Sequence, residues 1–417
     1  MPSPRSPQGS PLSLNRRTLL VGLAAGTAAP AALAACSAPS SASTAATSAP
    51  PSTLAATPSA PVTLNILDVA GNLQLTKGMI EAFKSANPHI VGNVTYSTGT
   101  APQLASKIQA QQQAGNVQIG LVLTGTDGLA AGIQNKLWVN VKPYYAQYFP
   151  NLQGSYQTPA AAMAQLAQDQ GIEVVWYPSG PLLEYNPTKL TTPPATAADL
   201  LAWAKANPGK FQYAEPANSG PGRTFLMGLP YLLGDSDPKD PVNGWTKTWA
   251  YLKELGPYAA SYPTGTKVTM QNLASGAVSL IASTTGWYIN PRALGTVPAS
   301  MKIAKLNGFH WVTDAQYGVI PKGVSDDVLI ANLQLLRWML KPDQQAQAYD
   351  QGYFYPGPAV KGVTLSMAPA ASQQAVEQYG DPDFDTWMTQ YPMETSLPAP
   401  DQVTAFDIWD KQIGAAK

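Results

Sequence analysis

One arginine stands in a glycine-rich run, Ser219-Gly220-Pro221-Gly222-Arg223-Thr224. Glycine lets backbone approach a bound group closely, and free N–H groups at a helix start favour an anion. This loop would suit a carboxylate or a phosphate. Asp68, Asp127 and Asp314, taken with Tyr177, Trp287 and Tyr317, make the opposite demand. Carboxylates beside aromatic faces suit a cation, so these residues favour an amine. A zwitterion or a phosphorylated cation would use both sets.

Catalytic and metal chemistry finds little to work with. The chain has two His, His89 and His310, and one Cys, Cys36. A zinc site wants several such ligands at fixed spacing. No H-E-x-x-H, G-x-S-x-G or G-x-x-x-x-G-K-[ST] run occurs, which removes the metalloprotease, nucleophile-elbow and P-loop readings. Asp235 to Asp240 resembles a calcium loop but has Lys at its fifth position and no Glu at its twelfth. The reading is a binding protein with no catalytic residue, metal or cofactor.

The elements that must position these groups alternate short β runs with amphipathic helices, the pattern of an α/β fold with largely parallel sheets. Residues 62–69 read as a strand, then a Gly-Asn loop, then a helix on Leu75, Met79, Ile80 and Phe83 that stops at Asn87-Pro88. Val94-Thr95-Tyr96 is a second strand, Gln103–Gln113 a second helix, and Val117–Leu123 a third strand. The charge-free stretch 268–291 reads as a helix running into a buried strand. In open α/β sheets ligands sit outside the carboxyl ends of strands. The candidate ligand residues are therefore Asp68, Gly71 and Asn72 after the first strand, and Gly125, Thr126 and Asp127 after the third. Tyr177 lies at a crossing, and Ser219, Gly220, Arg223 and Thr224 open a helix. Thr285 and Trp287 end the charge-free strand, and Asp314 and Tyr317 precede a return strand. Structural duties compete for some of them: Asp68 would also cap a helix, and Trp287 would also serve as core.

The first residues are a targeting device. Arg5, Arg16 and Arg17 precede an apolar stretch, Leu19–Ala35, too short and too rich in Ala, Gly and Pro for a membrane span. Arg16-Arg17 resembles a twin-arginine export signal. Leu33-Ala34-Ala35-Cys36 resembles a bacterial lipobox, which implies lipidation of Cys36. Residues 37–61 hold no charge and are dominated by Ser, Ala, Thr and Pro, so they read as a disordered tether. Basic and acidic residues number 25 each; without the three signal arginines the chain is slightly acidic, which argues against nucleic acid. Charged residues make up 12% of the chain, about half the usual share of about 25%, as suits a secreted surface.

Beyond the tether, the order of motifs resembles the type II extracellular solute-binding proteins, family 1-like. It is carried by the NP-terminated helix, "KLWVNVKPY" (136–144), the strand pair 171–177 and 182–187, the helix start Pro193-Pro194-Ala195-Thr196-Ala197-Ala198-Asp199-Leu200, the return strand 317–324, and the helix pair spanning Leu333–Gln345. Residues 211–216 and 219–225 resemble the branch of polyamine, thiamine and iron binders. The resemblance implies a two-lobed fold with a ligand cleft between lobes. Its expected map is a signal at 1–36, a tether at 37–61, lobe 1 at 62–178 plus about 306–345, lobe 2 at 179–305, and C-terminal helices at 346–417 packing across both. It implies a monomeric lipoprotein outside the cytoplasm, attached to the membrane only through its lipid. Such a protein passes a small-molecule solute to an ABC permease with a cytoplasmic ATPase. An amine such as a polyamine or thiamine is the favoured solute; an anionic solute, or a lipid-anchored hydrolase, are the alternatives.

Overall fold

The computed structural model describes residues 53–417. Arg16, Arg17 and Cys36, and the tether up to residue 52, lie outside the described residues. In chain order the first elements are β1 (Val62–Asp68), α1 (Leu73–Ala86), β2 (Val91–Thr98), α2 (Ala101–Gln113), β3 (Leu121–Gly125) and α3 (Thr126–Gln134). Three short helices follow, α4 (Tyr145–Tyr148), α5 (Leu152–Ser155) and α6 (Thr158–Gln165), then β4 (Ile172–Gly180). Next come β5 (Leu182–Tyr185), α7 (Ala197–Ala206), β6 (Phe211–Gln212), α8 (Gly220–Leu233), α9 (Thr246–Leu255), α10 (Thr266–Ser275), β7 (Leu280–Ser283), α11 (Thr285–Ala293) and β8 (Lys302–Ala304). The last are β9 (Trp311–Val319), α12 (Asp326–Met339), α13 (Pro342–Gln345), α14 (Ala370–Tyr379), α15 (Phe384–Gln390), β10 (Met393–Glu394) and α16 (Ala399–Gln412).

The strands form two sheets. One has six strands in the order β10-β9-β3-β1-β2, with β4 on the other side of β9. The other has four, in the order β6-β7-β5-β8. β1 pairs parallel with β2 and β3, while β9 runs antiparallel to β3 and β4. The chain passes from the first sheet to the second within one residue, Pro181, and returns between β8 and β9. Each sheet has its own core. Leu64, Ile66, Leu121, Val122, Val174 and Leu333 centre the first. Leu183, Phe211, Phe225, Leu226 and Leu280 centre the second, which also takes in Ala405, Phe406 and Trp409 of α16. Trp409 Nε1–H donates to the Tyr213 hydroxyl at 3.1 Å.

Local chemistry explains where the elements begin. α7 starts on a capping box: the Thr196 side chain accepts from Asp199 N–H, and the Asp199 carboxylate accepts from Thr196 N–H. β3 starts at Leu121 rather than Val117, because the Gln111 side chain takes the N–H groups of Gln118 and Ile119. The 268–291 stretch is a helix, a four-residue strand and a second helix. Thr284 caps that second helix, so Thr285 and Trp287 open α11 instead of ending a strand. Tyr317 lies inside β9, not before it; β9 begins early because β4 and the distant β10 both pair with its first residues. The end of the expected tether is not free of the fold. Gln147 donates to Leu54 O, Gln334 to Ala56 O, and Ser59 N–H to Asp327. Among the described residues no helix is long and apolar enough to cross a membrane.

Candidate functional site

Six helices of nine residues or more begin at one cavity of about 250 Å3. α1, α2 and α3 follow strands of the six-stranded sheet; α8 and α11 follow β6 and β7 of the four-stranded sheet, and α10 precedes β7. The cavity is lined by the residues just before or within their first turns: Val69–Gly71, Gly99-Thr100, Asp127, Asn218–Gly220, Gly265–Lys267 and Trp287. The first N–H groups of a helix have no partner within it and carry partial positive charge. Ser219 takes one of them, accepting from Gly222 N–H at 3.1 Å, and its hydroxyl lies 2.8 Å from that of Thr266. This contact ties the starts of α8 and α10 together.

At the floor of the cavity Arg223 reaches from α8 to two carboxylates. Its Nη1 donates to Asp127 Oδ2 on α3 at 3.0 Å, and its Nη2 to Asp314 Oδ2 on β9. Arg223 is 3% exposed and Asp314 fully buried. Asp314 is saturated with donors: Thr126 Oγ1–H and Ala315 N–H at Oδ1, and Tyr177 O–H with Arg223 at Oδ2. Asp127 Oδ1 accepts from Gly128 N–H at 2.8 Å. Burial pushes the Asp127 carboxyl up, against the pull of Arg223. Burial lowers the Arg223 pKa, but Asp314 and Asp127 outweigh it and hold the guanidinium above its ordinary value. Arg223 Nε, buried, has no partner. Lys267 is exposed and no carboxylate lies within ion-pair distance of it among the described residues.

Aromatic rings form another wall. Tyr177 stacks on Phe354 with centroids 4.7 Å apart, Phe354 on Tyr353 at 4.1 Å, and Trp287 meets Tyr353 edge-on at 5.6 Å. Two glycines make room for this stack. A Cβ at Gly71, whose φ is +73°, would lie 2.6 Å from the Tyr353 hydroxyl. One at Gly286 would lie 2.2 Å from Phe354 N.

Of the residues expected from sequence, Gly71, Asp127, Tyr177, Ser219, Gly220, Arg223 and Trp287 line this cavity. Asp314 and Thr126 stand behind it and hold Arg223 and each other. Gly125 supports the same cluster: a Cβ there would sit 3.5 Å from Arg223 Nη2. The others serve structure. Asp68 accepts from the N–H groups of Ala70, Asn72 and Leu73 and so shapes the start of α1. Asn72 accepts from the Thr76 hydroxyl, Thr224 donates to Gly220 O and Thr285 to Tyr355 O. Tyr317 points away and donates to Met163 O. Sequence reasoning missed Thr100, Asn218, Thr266, Lys267, Gln316, Tyr353 and Phe354. Gly265-Thr266 was legible as a helix start; nothing local marks Tyr353 and Phe354.

Among the described residues no group of three His, Cys, Asp or Glu side chains could hold a metal ion. Several solved structures share the fold. A Listeria monocytogenes chain assigned to a spermidine/putrescine ABC transporter is 13% identical, with 85% of this chain and 99% of that one covered, at a TM-score of 0.60. The periplasmic binding protein AfuA from Actinobacillus pleuropneumoniae, with fructose-6-phosphate bound, is 15% identical over 84% of this chain and 98% of that one, at 0.61. AgtB from A. tumefaciens R10, in complex with agropinic acid, is 15% identical over 85% and 97%, at 0.54. The fold is thus the type II periplasmic-binding-protein fold. No curated protein sequence matches at a significant level. The family model of the bacterial extracellular solute-binding proteins matches residues 78–378. This chain belongs to that family.

Proposed function

We propose that the protein is the capture subunit of an ABC importer, working outside the cytoplasm and anchored by a lipid on Cys36 after export through its Arg16-Arg17 signal. It acts by binding and has no turnover of its own. The cleft solute is a small anion rather than an amine. One observation carries that choice: the carboxylate oxygens at the cleft already have donors, while Arg223 Nε and Lys267 do not have acceptors among the described residues. An ammonium group would have to displace Arg223 from Asp127 or Asp314 and would meet Lys267. An anion needs no such exchange. The aromatic wall is what favours the amine alternative, and the same titration tests it.

Binding closes the two halves about the β4–β5 crossing. A few backbone dihedrals there carry the motion, and a ligand drives it only if it prefers the closed form. Groups from both halves meet at the cavity, so one solute touches both. Calorimetry with spermidine, thiamine and methylphosphonate tests the reading: heat of binding is expected from methylphosphonate and none from the two cations. Binding of spermidine without methylphosphonate would reverse it. Palmitate labelling in the native host should vanish in Cys36→Ser; equal labelling would remove the anchor.

A further inference from the structure

We infer that the solute has two parts, an anionic group at the Arg223 end and a neutral, polyhydroxylated body in a second compartment beside it. This rests on the anionic reading above. A cavity of about 530 Å3 adjoins the first, and Lys267, Trp287 and Tyr353 line both. The two spaces therefore share a wall of three side chains, one of them an exposed lysine. The compartments differ in chemistry. The inner one holds the Arg223 ion cluster and the helix starts. The outer one has no ionised lining group besides Lys267. Gln74, Gln271, Asn290 and Thr296 are its uncharged polar lining residues, set beside the apolar Met270, Pro291 and Leu294. Amides both donate and accept, as hydroxyl-bearing solutes require. The rings of Trp287 and Tyr353 offer flat apolar faces to the carbon skeleton of such a body.

Asn290 points the same way. It is 4% exposed, yet its bonds with Gln74 Nε2 and Gln351 O are both 3.4 Å. These lie beyond the usual 2.7–3.2 Å range, so the amide is not firmly engaged by protein. Gln74 belongs to α1 and Asn290 to α11, so the outer compartment also draws on both halves. A body seated there adds differential affinity for the closed form. A bare inorganic anion would use the inner compartment alone.

Calorimetry on the full chain with two matched pairs tests this: inorganic phosphate against glucose 6-phosphate, and acetate against gluconate. In at least one pair the larger probe should bind ten-fold tighter or better. Leu294→Arg should abolish that advantage and leave the small probe unchanged, since Leu294 is 52% exposed at the outer wall and the substitution fills the space without disturbing a core. Val242→Arg, at a side chain 61% exposed that lines neither cavity, should change nothing. Equal affinities within both pairs, or an advantage that survives Leu294→Arg, overturn the two-part solute while leaving the anionic reading intact. If none of the four anions binds, the anionic reading fails and takes this inference with it.

Discussion

Asp314 and Glu184 are both fully buried carboxyls on strands, but their surroundings differ. Four donors, one of them the Arg223 guanidinium, converge on Asp314. Glu184 accepts one bond, from Ser283 Oγ–H at 2.9 Å, and its other oxygen has no partner. Burial pushes its pKa up to about 7, against Ser283 and Arg292. Glu173 on β4 is more isolated still: neither oxygen has a partner, and burial holds its pKa well above the ordinary range. Donors have been gathered around the cleft carboxylate Asp314 and not around Glu184 or Glu173, where burial favours the protonated form.

The largest test of this contrast is Arg223→Ala. It strands Asp127 and Asp314 without their cation, a loss of about 3–5 kcal/mol at pH 7. Urea unfolding should show the loss shrinking toward pH 4, as the raised Asp127 carboxyl takes up a proton. A loss under about 1 kcal/mol at pH 7 would mean that water replaces Arg223 and that the triad is not special. Glu184→Gln should act in the opposite sense. Between about pH 4.5 and pH 7 the folded state keeps the Glu184 proton that the unfolded chain has lost. Stability therefore falls as pH rises through that window and levels off above it. The variant removes that slope, so at pH 8 it should be more stable than the parent by up to about 3 kcal/mol, with no gain at pH 4.5. Matching pH profiles for the two proteins would break the comparison.

Asp68 sharpens it from the structural side. Its three backbone bonds hold the start of α1, so Asp68→Ala should cost about 2 kcal/mol in urea unfolding and leave methylphosphonate affinity unchanged. A weakened affinity with unchanged stability would return Asp68 to the site. Lys267→Ala is the smallest change. An exposed lysine contributes little to folding, so stability should hold within about 0.5 kcal/mol. Methylphosphonate affinity should drop about ten-fold, or about 1.4 kcal/mol; no drop would place Lys267 outside the ligand's reach.

Much of the architecture was legible because its signals are local. Asn87-Pro88 ends α1 where the sequence predicts, Thr196 and Asp199 open α7, and the strand pair at 171–187 becomes β4 and β5, the strands on either side of Pro181. The start of β9 was misread because the distant β10 helps set it, while those of β3 and α11 turn on single side chains nearby, Gln111 and Thr284. The candidate site was legible in part for the same reason. Ser219, Gly220 and Gly71 reveal themselves by turn and cap chemistry. Tyr353 and Phe354 carry no such mark and reach the cavity only through stacking on Tyr177 and Trp287.

The sequence by itself determined the order of strands and helices, and therefore that helix starts would gather at the carboxyl ends of parallel strands. Caps, turns and hydrophobic periods act across a few residues and need no distant partner. Whether Arg223 would be free for an anion or matched by acid was decided only by tertiary structure. Its partners lie 96 and 91 residues away along the chain. Which charges meet in a buried cluster depends on how two sheets and their helices pack, and a buried charge without such partners would be too costly to keep.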